Sequence, residues 1–274
     1  MIPVLPHARA AVVATVLLAA VGSNAFAAPA STPVVAPGTD GPGSVSLVAA
    51  PELPLAGRTV VIDAGHQLGN HNYPRKIAKL VPAGGFKKEC NTTGTATNAG
   101  VPEATIAWQV AQRLRARLVD LGADVVRTRT SNREDRWGPC IDERGRRGNA
   151  IGADLKLSLH GDGSYVAHAH GFHVIAPTNR PRWTGDIAKA SVRLARDVRR
   201  ALVARDLAVA NYVAGGDGLD RRGDLGTLNL SDVPTVMLEM GNLRNRHDAH
   251  RLTSSHGQRT YVRGLVAAVE RYLG

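Results

Sequence analysis

The chain has 274 residues, a formal charge of +11 and 43% hydrophobic residues. That length admits one large domain or two small ones, and that apolar fraction sustains a packed core rather than a wholly disordered chain. The basic balance serves solubility or suits an anionic partner, while aromatics at only 4% leave few stacking platforms for single-stranded nucleic acid.

The N-terminus reads as an export signal over residues 1–28. His7 and Arg9 give a weakly basic start, and Ala10 to Val21 is an apolar run. That run is shorter than the roughly 20 residues a spanning helix needs, so a retained anchor is the weaker reading. Asn24-Ala25-Phe26-Ala27-Ala28 offers small residues for cleavage. Residues 29–56, rich in Ala, Pro, Ser and Gly and nearly uncharged, read as a flexible linker. A single domain is expected over 57–274.

Val60-Val61-Ile62-Asp63-Ala64-Gly65-His66 is an apolar strand that ends in a histidine. Gln67 to Val101 is a long polar loop, expected to form one wall of a groove. Pro102-Glu103 opens a helix with Ile106, Val110, Leu114 and Leu118 on one face, stopped by Gly122. A second strand is expected over Ala123 to Thr130 and a charged helix over Ile141 to Gly152. Leu155-Lys156-Leu157-Ser158-Leu159-His160 is a third strand, again with a terminal histidine. Gly171 to Pro177 is a fourth, Thr184 to Asp206 an amphipathic helix, and Gly215 to Asn229 glycine-rich and irregular. Thr235-Val236-Met237-Leu238-Glu239 is the last strand, and His250 to Leu273 the closing helix. Strands alternating with helices predict an α/β domain: a mostly parallel twisted sheet with helices on both faces.

Open α/β sheets place ligands at the carboxyl ends of their strands, where His66, His160 and Glu239 fall. Glu103, in the first helical turn, is favoured there by the helix dipole alone, but two histidines at the same edge make it a ligand candidate. Two histidines and a carboxylate with an open fourth place is a common catalytic zinc set, so His66, Glu103 and His160 are expected to hold one Zn²⁺ per chain. A carboxylate off the metal must then take a proton from water and deliver it to a leaving nitrogen, and Glu239 is the candidate. The alternative for Glu239 is a buried carboxylate satisfied by backbone amides. The remaining histidines, including His168, His170 and His173, are not expected to be ligands; alternation sets His170 and His173 on opposite faces. No His-Glu-x-x-His, Walker loop or Gly-x-Ser-x-Gly motif is present. Cys90 and Cys140 would meet an oxidising compartment after export. With two cysteines the pairing is forced if a bond forms; two free thiols are the alternative.

The segment from Val60 to His66, Glu103, Arg144 with Asn149, Ala153 to His160, and Val233 to Asn242 with Asn245 together resemble the zinc-dependent N-acetylmuramoyl-L-alanine amidases of the amidase 3 family. The resemblance runs from about Arg58 to the C-terminus. Gly223 to Ser231 and Leu238 to Asn245 look most like its actinobacterial, mycobacterial-type branch. It implies a peptidoglycan or muropeptide substrate, cut at the amide between N-acetylmuramic acid and L-alanine. It also implies His66, Glu103 and His160 as zinc ligands and Glu239 as acid-base. The sequence departs from the family pattern at Gln67-Leu68 (usually Gly-Gly), Ala104 (usually Lys) and Gly161-Asp162 (usually Ala-Asn). None of these removes a ligand. The expected protein is a monomer, secreted to periplasm or cell wall, with no stable membrane anchor and no nucleic-acid partner, and with anionic wall polymers as a further partner. The rival readings are a zinc peptidase acting within the stem peptide and a non-catalytic wall-binding protein on the same fold.

Overall fold

A computed structural model describes residues 52–274; the expected signal and nearly all of the linker lie outside the described residues. Chain order begins with β1 (Thr59–Ala64), α1 (Pro74–Ile77), β2 (Leu80–Pro82), β3 (Lys87–Glu89), α2 (Glu103–Asp120), β4 (Asp124–Arg127) and α3 (Ile141–Arg146). It continues with β5 (Leu155–Asp162), β6 (His173–Pro177), α4 (Ala188–Val203), β7 (Leu219–Arg222), α5 (Gly226–Asn229), β8 (Thr235–Asn242), α6 (Arg246–Thr253) and α7 (Ser255–Leu273). The main sheet has six strands in the order β4-β1-β5-β8-β6-β7. All its neighbours are parallel except β6 with β8. The expected α/β architecture is what the chain adopts.

The two sheet faces differ in chemistry because the central strands alternate. Val60, Ile62, Leu155, Leu157, Leu159, Val236 and Leu238 point into one large core with α2, α4 and α7. Truncating any of these to alanine costs about 2–5 kcal/mol, so this face anchors the fold. The opposite side of the same strands carries Asp63, Lys156 and Ser158, all fully buried, under a thin cover with the short helices α3 and α5. A run that reads as uniformly buried is therefore apolar on one side and a polar network on the other. That network lies beneath the carboxyl ends of β1 and β5.

Several elements differ from the sequence expectation. The long loop 67–101 contains a short helix and an antiparallel hairpin, β2 with β3, separate from the main sheet. Its strands have three residues each and β2 ends in Pro82, too short a pattern for a period-2 signal. The glycine-rich stretch 215–229 supplies the edge strand β7 and α5. The charged helix stops at Arg146 instead of Gly152. The closing helix is two helices, broken at Ser254, whose backbone is extended and whose side chain accepts from Gly257 N–H. The hydroxyl cap outweighs helix continuity there.

Candidate active site

Three segments far apart in sequence meet at the carboxyl edge of the sheet. His66 follows β1 in a left-handed conformation, φ +53°, which non-glycine residues adopt rarely and mainly where the surroundings fix them. Glu103 is the first residue of α2 and is buried. His160 lies near the end of β5, directly in register with Glu239 on β8. A ligand atom from each of His66, Glu103 and His160 lies within 4.8 Å of the others. Glu103 Oε1 is 3.2 Å from His66 Nε2 and 2.9 Å from His160 Nδ1, and the two imidazoles stand edge to face. Two donors about 2.1 Å from a tetrahedral ion stand about 3.4 Å apart, so the spacing fits a small divalent cation.

Hydrogen bonds from outside the cluster orient His66 and Glu103. His66 Nδ1 is 3.0 Å from the carbonyl of Thr92. A carbonyl only accepts, so Nδ1 carries the proton and Nε2 keeps its lone pair for a metal. The Thr92 carbonyl is itself held by the amide of fully buried Asn70. Glu103 accepts Gly161 N–H on Oε1 and Thr95 N–H on Oε2. Two glycines leave room for the cluster. A Cβ on Gly65 would lie 2.5 Å from the His160 ring, and one on Gly94 would lie 2.7 Å from Glu103 Oε2. Burial works against the charge of Glu103, yet the flanking His66 and His160 hold its carboxyl well below the usual range. Burial likewise opposes the charge of His66, but Glu103 raises its pKa. His66 and Glu103 thus favour each other's charged forms, and a metal ion bound there would displace the proton from His66 Nε2.

Glu239 is half-buried beside this cluster, and its Oε2 is enclosed with no hydrogen-bond partner. Burial first, then the charges of Glu103 and Asp162, push its pKa well above the ordinary carboxylate value. A cavity of about 500 Å³ opens onto it, lined by His66, Arg144, His160, Thr227, Met237 and Glu239, with Leu80, Lys88 and Glu89 of the hairpin as a further wall. The hairpin is fixed at its base by the Cys90–Cys140 disulfide. Towards its tip Lys88 reaches Asp224 and Asn229 donates to the carbonyl of Ala83. The loop 67–101 therefore does form a wall of the groove, and the two cysteines are bonded.

The chain matches the family model Amidase_3, described as N-acetylmuramoyl-L-alanine amidase, over residues 60–271. The chain belongs to this amidase family. N-acetylmuramoyl-L-alanine amidase Rv3717 of Mycobacterium tuberculosis is 39% identical over 84% of this chain and 92% of its own length. The solved amidase Ami1 of Mycobacterium smegmatis superposes with a TM-score of 0.74 at 33% identity, covering 80% of this chain and 98% of that one. The apo form of Ami1 from Mycobacterium abscessus gives 0.73 at 37%, covering 80% of this chain and 100% of that one. This protein is thus a peptidoglycan hydrolase of the N-acetylmuramoyl-L-alanine amidase class. Its disulfide suits an oxidising compartment, and among the described residues no helix is long and apolar enough to cross a membrane.

The amidase's edge also depends on residues to which the sequence reading gave no structural role. Asp63, fully buried, accepts from Thr128, Arg144 and Ser158 at 2.6 Å each. Burial alone would raise its pKa; Arg144, His160 and the two hydroxyls outweigh this and hold it far below the usual value. Arg144 also donates to the carbonyls of Ala64, His66, Gly138 and Pro139, so all its donor groups are engaged. Lys156 is fully buried against the carbonyls of Arg144 and Gly145, and burial lowers its pKa to about 7. His173, not expected as a ligand, is buried in register with Glu239 on its other side, with Nδ1 unpartnered. The family departures have local roles. Gln67 Oε1 accepts from Leu68 and Arg133 amides, and Asp162 accepts from Tyr212 Oη.

Proposed function

We propose that His66, Glu103 and His160 hold one zinc ion and that Glu239 is the acid-base for hydrolysis of the amide between N-acetylmuramic acid and L-alanine. The carrying observation is the convergence of three ligand atoms within 4.8 Å beside an unpartnered Glu239 carboxylate oxygen. The donor set, two imidazoles and one carboxylate, is borderline-hard and suits zinc. Such an ion polarises a carbonyl and acidifies water near it. The protein's own groups do the rest. The hairpin wall and Thr227 confine the stem peptide, and the Thr92 carbonyl and the Gly161 and Thr95 amides keep the ligands aimed. Glu239, its carboxyl raised chiefly by burial, stands where it can take a proton from water and return it to the departing alanine nitrogen.

Mass analysis of muropeptide digests tests this. Intact stem peptide separated from the sugar supports the amidase; cleavage within the peptide would establish the zinc peptidase reading instead. The same proposal includes secretion after removal of residues 1–28, with 29–56 as a tether to a domain at 57–274. It also includes an anionic wall polymer as partner. A groove of about 560 Å³ between α2, α7 and the end of α4 is rimmed by Arg113, Arg117, Arg205, Arg259 and Arg263, against one carboxylate, Glu270. Sacculus binding that weakens with salt and with the double change Arg259→Glu, Arg263→Glu supports this surface. Binding unchanged by either removes it.

A further inference from the structure

One buried guanidinium bonds to the backbone beside two of the three ligand residues. Arg129 lies two residues past β4, only 5% exposed. Its Nε donates to the carbonyl of Ala64 at 2.9 Å, and Nη2 to the carbonyls of Gly65 at 3.2 Å and Ala104 at 2.8 Å. Gly65 immediately precedes His66, and Ala104 immediately follows Glu103. Nη1 is held by the Ser131 carbonyl and Asn132 Oδ1, and the Trp108 ring lies 5.0 Å from the guanidinium carbon. Asn132 in turn donates to Thr105 on α2. The fork thus bridges the end of β1 to the first turn of α2.

We infer that Arg129 is a positioning residue that sets the spacing of His66 and Glu103 and thereby the affinity of the metal site. The inference rests on the metal reading proposed above. A planar five-donor fork reaches the strand end and the helix start at once; a lysine ammonium, a point charge on a flexible stem, does not hold both directions. Groups that orient metal ligands typically contribute about 10–100-fold to metal affinity. Arg129 acts on main-chain carbonyls, so it does this whatever side chain stands at 104. The family departure at Ala104 leaves the mechanism intact.

The test is Zn²⁺ affinity of the secreted chain, read by competition with a chromophoric chelator, together with the Co²⁺ absorption spectrum and the melting temperature of the metal-free protein. Arg129→Lys is expected to bind Zn²⁺ about 10–100-fold more weakly and to change the Co²⁺ bands. Asn132→Ala, which removes only an outer contact of the guanidinium, is expected to weaken binding less, in the same direction. Leu202→Ala, a core truncation on the distant α4, is expected to lower the melting temperature while leaving Zn²⁺ affinity unchanged, which separates positioning from mere instability. Zn²⁺ affinity within twofold of wild type in both Arg129→Lys and Asn132→Ala overturns the inference. Should Arg129→Lys fail to fold, the Asn132→Ala result decides alone. A wild-type chain that binds no Zn²⁺ instead overturns the metal reading beneath it.

Discussion

Gly94 gives the sharpest single-atom test of the ligand cluster. It sits at φ +75°, and an added Cβ would lie 2.7 Å from Glu103 Oε2 and 2.8 Å from His66 Cδ2. Regaining a separation of about 3.5 Å requires those groups to retreat by roughly 0.7 Å. Metal sites tolerate about 0.2 Å, so Gly94→Ala is expected to lower metal affinity at least about tenfold. The left-handed backbone adds about 1–2 kcal/mol of strain that is not specific to the site. Gly100 provides the control: it stands at φ +82° in the same loop with nothing within 4 Å of its Cβ position. Gly100→Ala should therefore lose stability of the same order and keep metal affinity and turnover. The assay is Zn²⁺ titration and muropeptide turnover beside thermal melts of both variants. Equal metal affinity in the two variants would refute the steric reasoning.

Other consequences follow from the same geometry. Glu239→Gln should bind metal as wild type and lose about 10²–10⁴-fold in turnover, whereas His160→Ala should lose both; an active Glu239→Gln protein, scored on muropeptides, removes the acid-base assignment. Asp63 has a folded pKa held below its unfolded value, so its contribution is present above about pH 4 and is lost as pH falls toward the folded pKa. Acid melts of Asp63→Asn should show lower stability at pH 7 and a flatter acid limb; an unchanged limb contradicts the network. The Cys90–Cys140 bond closes a loop with a sequence separation of 50, worth about 4 kcal/mol in a chain-entropy treatment. Paired Cys→Ser changes should lower stability by up to that amount in denaturant titrations and loosen the hairpin wall in hydrogen exchange.

The residues at the sheet edge were legible because each ends or begins an element with a strong signal. His66 follows an apolar strand, His160 and Glu239 close the apolar runs within β5 and β8, and Glu103 follows the proline that opens a long amphipathic helix. Their support was not legible. Asp63, Lys156 and Ser158 sit inside strands that read as simply apolar, and only the pleat reveals that they share one face. Arg129 carries no local pattern: besides Ser131 and Asn132, its partners are carbonyls 25 to 65 residues away. The hairpin was hidden because three-residue strands within a polar, glycine-bearing loop lack periodicity, and its position depends on a crosslink and on Asp224 and Asn229 far along the chain. The break at Ser254 was signalled by Thr253-Ser254-Ser255, but the apolar spacing across it favoured one helix.

Anomalous X-ray diffraction at the zinc edge, on crystals of the metal-loaded protein, addresses the account most directly. The expected result is a single strong peak about 2.0–2.2 Å from His66 Nε2, Glu103 Oε1 and His160 Nδ1, with Glu239 beside it and not bound. A peak held by other side chains, or none in a folded protein that still hydrolyses muropeptides, would contradict it.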